Sequence, residues 1–128
     1  MPLLPDLDTP DAIRQFVDAF YVRLLAEADM APFFAHVDLA DHMPHLYGFW
    51  EKLLLGTGDY ARNAMQPHMA LHRRMPMQPA HFERWLHHFE ATLSAHNTGP
   101  KATEAMARAR HIAALMQHKL QQLDGQGL

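Results

Sequence analysis

Between Asp8 and Glu27 the apolar residues Ile13, Phe16, Val17, Phe20, Tyr21, Leu24 and Leu25 recur at steps of three and four, which predicts one face of an α-helix. Asp8 or Thr9 can cap it, and Pro10 suits its first turn. The stretch MAPFFAHV that follows predicts a short helical or irregular piece starting at Pro32. A second helix is predicted from near Asp41, with His42, Leu46, Phe49, Trp50 and Leu53 on one face until Gly56 and Gly58 stop it. From Gly56 to Pro79 glycine and proline break the pattern, leaving room only for a short helix around His68. A third long helix places Phe82, Trp85, Leu86, Phe89 and Leu93 together and ends at Asn97 and Gly99. The last helix is predicted from about Pro100 to Leu123, with Met106, Ile112, Leu115, Met116, Leu120 and Leu123 inward. Residues 1–8 and 124–128 read as frayed tails, and no strand pattern or repeat interrupts this all-α plan.

With 128 residues the chain is long enough for one domain with one core. Four apolar helix faces must bury one another, yet the broken segment from Gly56 to Pro79 cannot supply a full face. A flat apolar cofactor, coordinated by a histidine in that segment, would fill the gap. The composition admits this: 11 histidines are ligand candidates, although most must be plain surface residues. The absence of cysteine rules out thiolate metal sites and thioether-linked haem through a CxxCH motif. A formal charge of −3 offers no basic field for nucleic acid. No apolar run reaches membrane-spanning length, and the first residues lack the pattern of a secretion signal, so a cytoplasmic location is expected.

The strings Phe20-Tyr21-Val-Arg-Leu-Leu, Pro32-Phe33-Phe34, Phe49-Trp50-Glu-Lys-Leu-Leu-Leu-Gly-Thr-Gly-Asp-Tyr60, Met65-x-x-His68 and His81-Phe82-Glu-Arg-Trp85-Leu86 follow one another in an order and at gaps that resemble the truncated haemoglobins, most closely group III. The resemblance spans about Asp11 to Leu120. One departure is Ala61-Arg62 after Tyr60, where the family pattern has glycine. The resemblance implies a shortened globin, helices packed two over two around non-covalent haem b, that binds oxygen, nitric oxide or carbon monoxide at the open iron position. It implies His68 as the proximal iron ligand. Pro67 suits the first position of that short helix, and Ala64 C=O, four residues back, is a candidate acceptor for the second imidazole nitrogen. On the distal side it implies Tyr21 and Trp85 as ligand donors and His42 as a gate, since Pro44 weakens the ladder of that turn. Phe34, Leu46, Phe49, Tyr60 and Met65 become pocket walls, while His72, Arg73 and Arg74 sit at the haem edge, where a guanidinium can pair with a propionate.

Rival readings exist for each residue. His68 and His72 also have the spacing of two zinc ligands on one helix, but no carboxylate lies between Tyr60 and His81 to complete a site. Tyr21 and Trp85 can be core residues bonded to backbone, the pocket walls can be ordinary core, and the basic turn can be a solvated surface. Function also stays open between an oxygen carrier or sensor and a redox enzyme with an unidentified electron donor, acting on oxygen, nitric oxide or peroxide, with a haem-free helical metal-binding or interaction module as the outsider. Nothing in the sequence supports hydrolase or kinase chemistry.

Overall fold

The computed structural model describes residues 4–35, 37–56 and 77–126, with side chains up to Gln122. Four α-helices run through them: α1 (Pro10–Ala26), α2 (Leu39–Leu55), α3 (Pro79–His96) and α4 (Pro100–Gln126), with a 3-10 turn at Ala31–Phe34 between the first two. No strand occurs among the described residues, as the periodicity predicts. Helix α1 starts where expected: Thr9 Oγ1 accepts from the Ala12 N–H at 3.1 Å, with Pro10 at the first position. Helix α2 starts slightly earlier than predicted, because Asp38 rather than Asp41 caps it, accepting from the N–H groups of Ala40 and Asp41. Gly56, at φ 69°, ends it in the left-handed region.

Helix α1 packs on both α2 and α3, and α3 packs on α4 as well. The core between them is aromatic. Phe89 of α3 is fully buried and lies edge-on to Phe16 (4.9 Å between centroids) and Phe20 (5.2 Å) of α1. It also meets Trp50 of α2 at 5.3 Å and Trp85, one turn back on α3, at 5.4 Å. A side chain of this size, fully removed from water, contributes roughly 1.5–3 kcal/mol before the ring geometry adds more.

Helix α4 turns a different face inward from the one its large residues suggest. Ala102, Ala105, Ala109 and Ala113 are buried in one row, while Leu115 is 46% exposed. The small residues let the α4 backbone approach α3 closely, so Met106, Ile112 and Met116 flank the contact half-buried and Leu120 closes it. Leu115 lies off that row, and its inward assignment is corrected. The helix also continues to Gln126, past the tail expected from Asp124.

The N-terminal segment corrects a second expectation. Residues 5–7 are not frayed, since Leu7 is fully buried in the core and Asp6 acts as a remote cap for α4. The Asp6 carboxylate accepts from the N–H of Lys101 at 3.0 Å and of Ala102 at 2.7 Å. The Pro5 carbonyl accepts from Thr98 N–H and from the Asn97 side chain, both at 3.1 Å. Burial pushes the Asp6 carboxyl up, but the N–H groups of Lys101, Ala102 and Leu7, with the Lys101 charge, outweigh it and hold the group below its usual range. This clamp requires glycine at 99: φ is +134°, and a Cβ there would stand 2.5 Å from Asp6 Cγ.

Two consequences are measurable by denaturant unfolding. Gly99→Ala is expected to destabilise the fold by about 1–3 kcal/mol, since it adds backbone strain and displaces the cap. Because the folded-state pKa of Asp6 is depressed, its contribution is present above the unfolded carboxylate pKa and is lost as pH falls through the folded value. Asp6→Asn is therefore expected to flatten stability on the acid side of the pH profile and to lower it at neutral pH; an unchanged acid limb contradicts the cap.

Candidate ligand-binding site

The C-terminal half of α1 presents Phe20 on the core face, 3% exposed, and Tyr21 beside it, 9% exposed. Tyr21 lies edge-on to Phe20 (5.7 Å) and to Phe34 of the 3-10 turn (5.4 Å), so its ring is held between apolar neighbours. Its hydroxyl needs a partner there, and the structure supplies His42 from the first turn of α2: Tyr21 Oη lies 3.2 Å from His42 Nε2. The phenol donates when His42 carries its proton on Nδ1 and accepts when the proton is on Nε2. Burial pushes the Tyr21 phenol well above its ordinary pKa, so it keeps its proton at any physiological pH.

His42 itself is half-buried. Its backbone N–H bonds the Asp38 carbonyl at 2.9 Å, so the turn is anchored at its start. Pro44 stands inside α2, beyond the first turn, and removes the N–H that would have bonded the Ala40 carbonyl. The weakened rung is therefore Ala40's, two positions away from the backbone bond that fixes His42.

Trp85 comes from the second turn of α3. It packs on Phe20 at 5.5 Å with rings crossed by 73°, and on Phe89 at 5.4 Å. Phe20 therefore touches both Tyr21 and Trp85 and sets their separation. The Trp85 ring is half-buried, and no acceptor among the described residues bonds its indole N–H. Leu46 and Phe49 of α2 and Phe34 are likewise half-buried against the core. Tyr21 meets Phe34 and His42, Phe20 joins it to Trp85, and Leu46 and Phe49 pack on the same core cluster, which thus carries an imidazole, a phenol and an indole donor.

Of the residues singled out by sequence, the structure brings His42 and Phe34 each against Tyr21 and places Trp85 on the same aromatic support, Phe20. Tyr60, Met65, His68, His72, Arg73 and Arg74 lie outside the described residues. Among the described residues no three histidine or carboxylate side chains converge to hold a metal ion. None of the described helices is long and apolar enough to cross a membrane.

Sequence reasoning missed two parts of this region. Phe20 and Phe89 were visible only as core positions, and their role as the platform for Tyr21 and Trp85 needs the helix packing. The second is a clamp at the end of α1, where Glu27 accepts from Arg84 and from His88 Nε2, the latter at 3.0 Å. Arg84 and His88 lower the Glu27 pKa by hydrogen bonding and charge, against a smaller opposing effect of burial. The clamp fixes α3 on α1 one turn from Trp85, and a separation of 57 and 61 residues leaves no local signal for it.

Comparison with known proteins agrees with the all-helical fold. The family model of the bacterial-like globins matches residues 7–121. The chain is 26% identical over 121 residues to the Group 3 truncated hemoglobin ctb of Campylobacter jejuni, covering 90% of this chain and 93% of that one. It is 27% identical over 94 residues to the Group 1 truncated hemoglobin GlbN of a Nostoc species, covering 73% and 77%. The crystal structure of the group III truncated hemoglobin from Campylobacter jejuni superposes with a TM-score of 0.78 at 27% identity, covering 88% of this chain and 91% of that one. The fold is that of a truncated globin, and the family implies a haem cofactor and globin-type binding of small ligands. The half-buried apolar face, with its two hydrogen-bond donors and an imidazole, fits a flat apolar group carrying a polar ligand, and the chain belongs to the bacterial-like globins.

Proposed function

We propose that this chain binds haem b and holds a diatomic ligand, oxygen first among them, on the side of Tyr21, His42 and Trp85, with His68 as the proximal iron ligand. The observation that carries this reading is the Tyr21 hydroxyl, buried among aromatic rings and bonded, among the described residues, to the imidazole of His42 at 3.2 Å. A phenol placed there for packing alone would be better replaced by phenylalanine, because burying a hydroxyl costs free energy unless it is bonded. The attachment is non-covalent, since a chain without cysteine cannot form the thioether links of a CxxCH site. Haem, when bound, supplies an iron centre with one open position for the ligand.

The chain's own residues do the rest. Phe34, Leu46 and Phe49 exclude water and present apolar surface to the macrocycle. His42 holds the Tyr21 phenol while the pocket is empty and releases it by turning its ring, which needs no break in the His42 to Asp38 backbone bond. Tyr21 and Trp85 then donate hydrogen bonds to a ligand carrying partial negative charge. His72, Arg73 and Arg74 take the propionate edge, and Tyr60 and Met65 complete the wall. Two polar donors in an otherwise apolar pocket also suit a redox reaction of nitric oxide, peroxide or oxygen, which is the second reading for the same site.

The proximal assignment is tested by haem retention. His68→Ala is expected to lose haem on purification while His72→Ala keeps it; the reverse pattern assigns the wrong histidine. The distal assignment is tested by gas release. A hydrogen bond to a charged acceptor is worth about 1.5–3 kcal/mol, so Tyr21→Phe is expected to speed oxygen release roughly tenfold or more. Carbon monoxide, a weaker acceptor, should change much less. Equal acceleration for both gases would mean that Tyr21 acts by shape, and no change for either would assign the bond to Trp85 or His42.

A further inference from the structure

Outside the pocket, one tyrosine is built in a way that the ligand-binding reading does not use. Tyr47 of α2 is half-buried against the core at its ring, and its hydroxyl donates to Asp18 Oδ1 of α1 at the exposed edge of the contact. The Arg14 guanidinium lies over the ring, 5.7 Å from its centroid, but is itself bonded to Glu51 at 3.1 Å. Arg14 being neutralised by Glu51, the field felt by the phenol is dominated by the Asp18 carboxylate. That hydrogen bond, with burial and the Asp18 charge, raises the Tyr47 pKa against a smaller opposing effect of Arg14, so the phenol holds its proton in the resting protein.

From this phenol a path leads back to the pocket, its first step along one side of α2 and the rest through ring contacts. Tyr47 and Trp50 are three residues apart on α2 and are therefore neighbours on its surface. Trp50 meets Phe89 at 5.3 Å, and Phe89 meets Trp85 at 5.4 Å. In a chain without cysteine, tryptophan and tyrosine are among the side chains that most readily give up one electron. Both tryptophans of the chain lie on this path, and its outer end carries a proton acceptor already in place.

We propose that Tyr47 is the surface port through which oxidising equivalents leave the haem pocket, and that a small phenolic one-electron donor reduces it there. The inference rests on the haem reading above and names a hydroperoxide as the oxidant. Reduction of hydrogen peroxide to two waters takes two protons and two electrons. Tyr47 supplies one electron inward through Trp50 and Trp85 while its Oη–H bond breaks and the proton passes to Asp18 Oδ1, leaving a neutral tyrosyl radical. The phenolic donor then gives a hydrogen atom: its own O–H bond breaks, the Tyr47 Oη–H bond re-forms, and Asp18 releases its proton to solvent. A second passage delivers the second electron, so two donor molecules are oxidised per peroxide.

Asp18 is what distinguishes Tyr47 from Tyr21. An oxidised phenol is a strong acid, and a carboxylate at the exposed edge accepts its proton at little cost. Tyr21 is 9% exposed and pairs with the His42 imidazole inside the fold, away from a donor molecule in solution.

The test is freeze-quench electron paramagnetic resonance of the haem-loaded full chain after addition of hydrogen peroxide. The chain has three tyrosines, so Tyr21→Phe, Tyr47→Phe and Tyr60→Phe cover every source of a tyrosyl signal. The signal is expected in the parent chain, in Tyr21→Phe and in Tyr60→Phe, and is expected to be lost in Tyr47→Phe. Asp18→Asn, which keeps the shape but cannot take the proton, should diminish it, and Trp50→Phe should delay its appearance. A signal that survives Tyr47→Phe, or a haem-loaded chain that gives no tyrosyl radical, overturns the proposal and leaves the ligand-binding reading intact. A chain that takes up no haem removes that reading and this one together.

Discussion

Phe89 is the contact on which the rest of the structure depends. It is fully buried where α1, α2 and α3 meet, touching Phe16, Phe20, Trp50 and Trp85 within 5.4 Å between ring centroids. Its edge-to-face contacts with Phe16 and Phe20 are directional, so they fix the rotation of α1 on α3 as well as its distance. Once Phe20 is set against Phe89, Tyr21 must project from the next position on α1, toward the 3-10 turn and α2. Trp85, one turn before Phe89, is turned to the same side. Replacing Phe89 by alanine would cost roughly 3–5 kcal/mol and would loosen both donors together.

Polar groups then decide what the apolar frame leaves free. The Asp6 cap and the Pro5 carbonyl tie the start of the chain to the link between α3 and α4, and Glu27 ties the end of α1 to α3. The two clamps act at opposite ends of α3, one through Arg84 and His88 and the other just past His96, and so fix its position on α1 and α4. Within that face, burial of the Tyr21 hydroxyl imposes a condition that has to be met by some partner. His42 meets it from a turn whose backbone N–H is bonded to the Asp38 carbonyl.

The large periodic segments were legible from the chain alone. The steps of three and four through Phe16, Phe20 and Leu24, or through Phe82, Phe89 and Leu93, predict helices because packing demands one apolar face. Tyr21 and Trp85 were legible as candidates because each carries a polar hydrogen on such a face. Asp6 was not legible: its partners lie 95 and 96 residues away, and a proline-rich start reads as a loose tail. The inward row of α4 was misread for a different reason. Hydrophobic size favours Leu115, whereas close approach of helices favours Ala105 and Ala109. The pairing of Tyr47 with Asp18 depends on the crossing of α1 and α2, which no local pattern encodes.

The central claim is that an aromatic face bearing Tyr21, His42 and Trp85 receives haem. Titration of the purified chain with haem, followed in the visible and near-ultraviolet spectrum, addresses it most directly. The account predicts a sharp Soret band that saturates at one haem per chain and shifts when carbon monoxide is added to the reduced protein. A broad absorbance that grows without saturation and does not respond to carbon monoxide would contradict it.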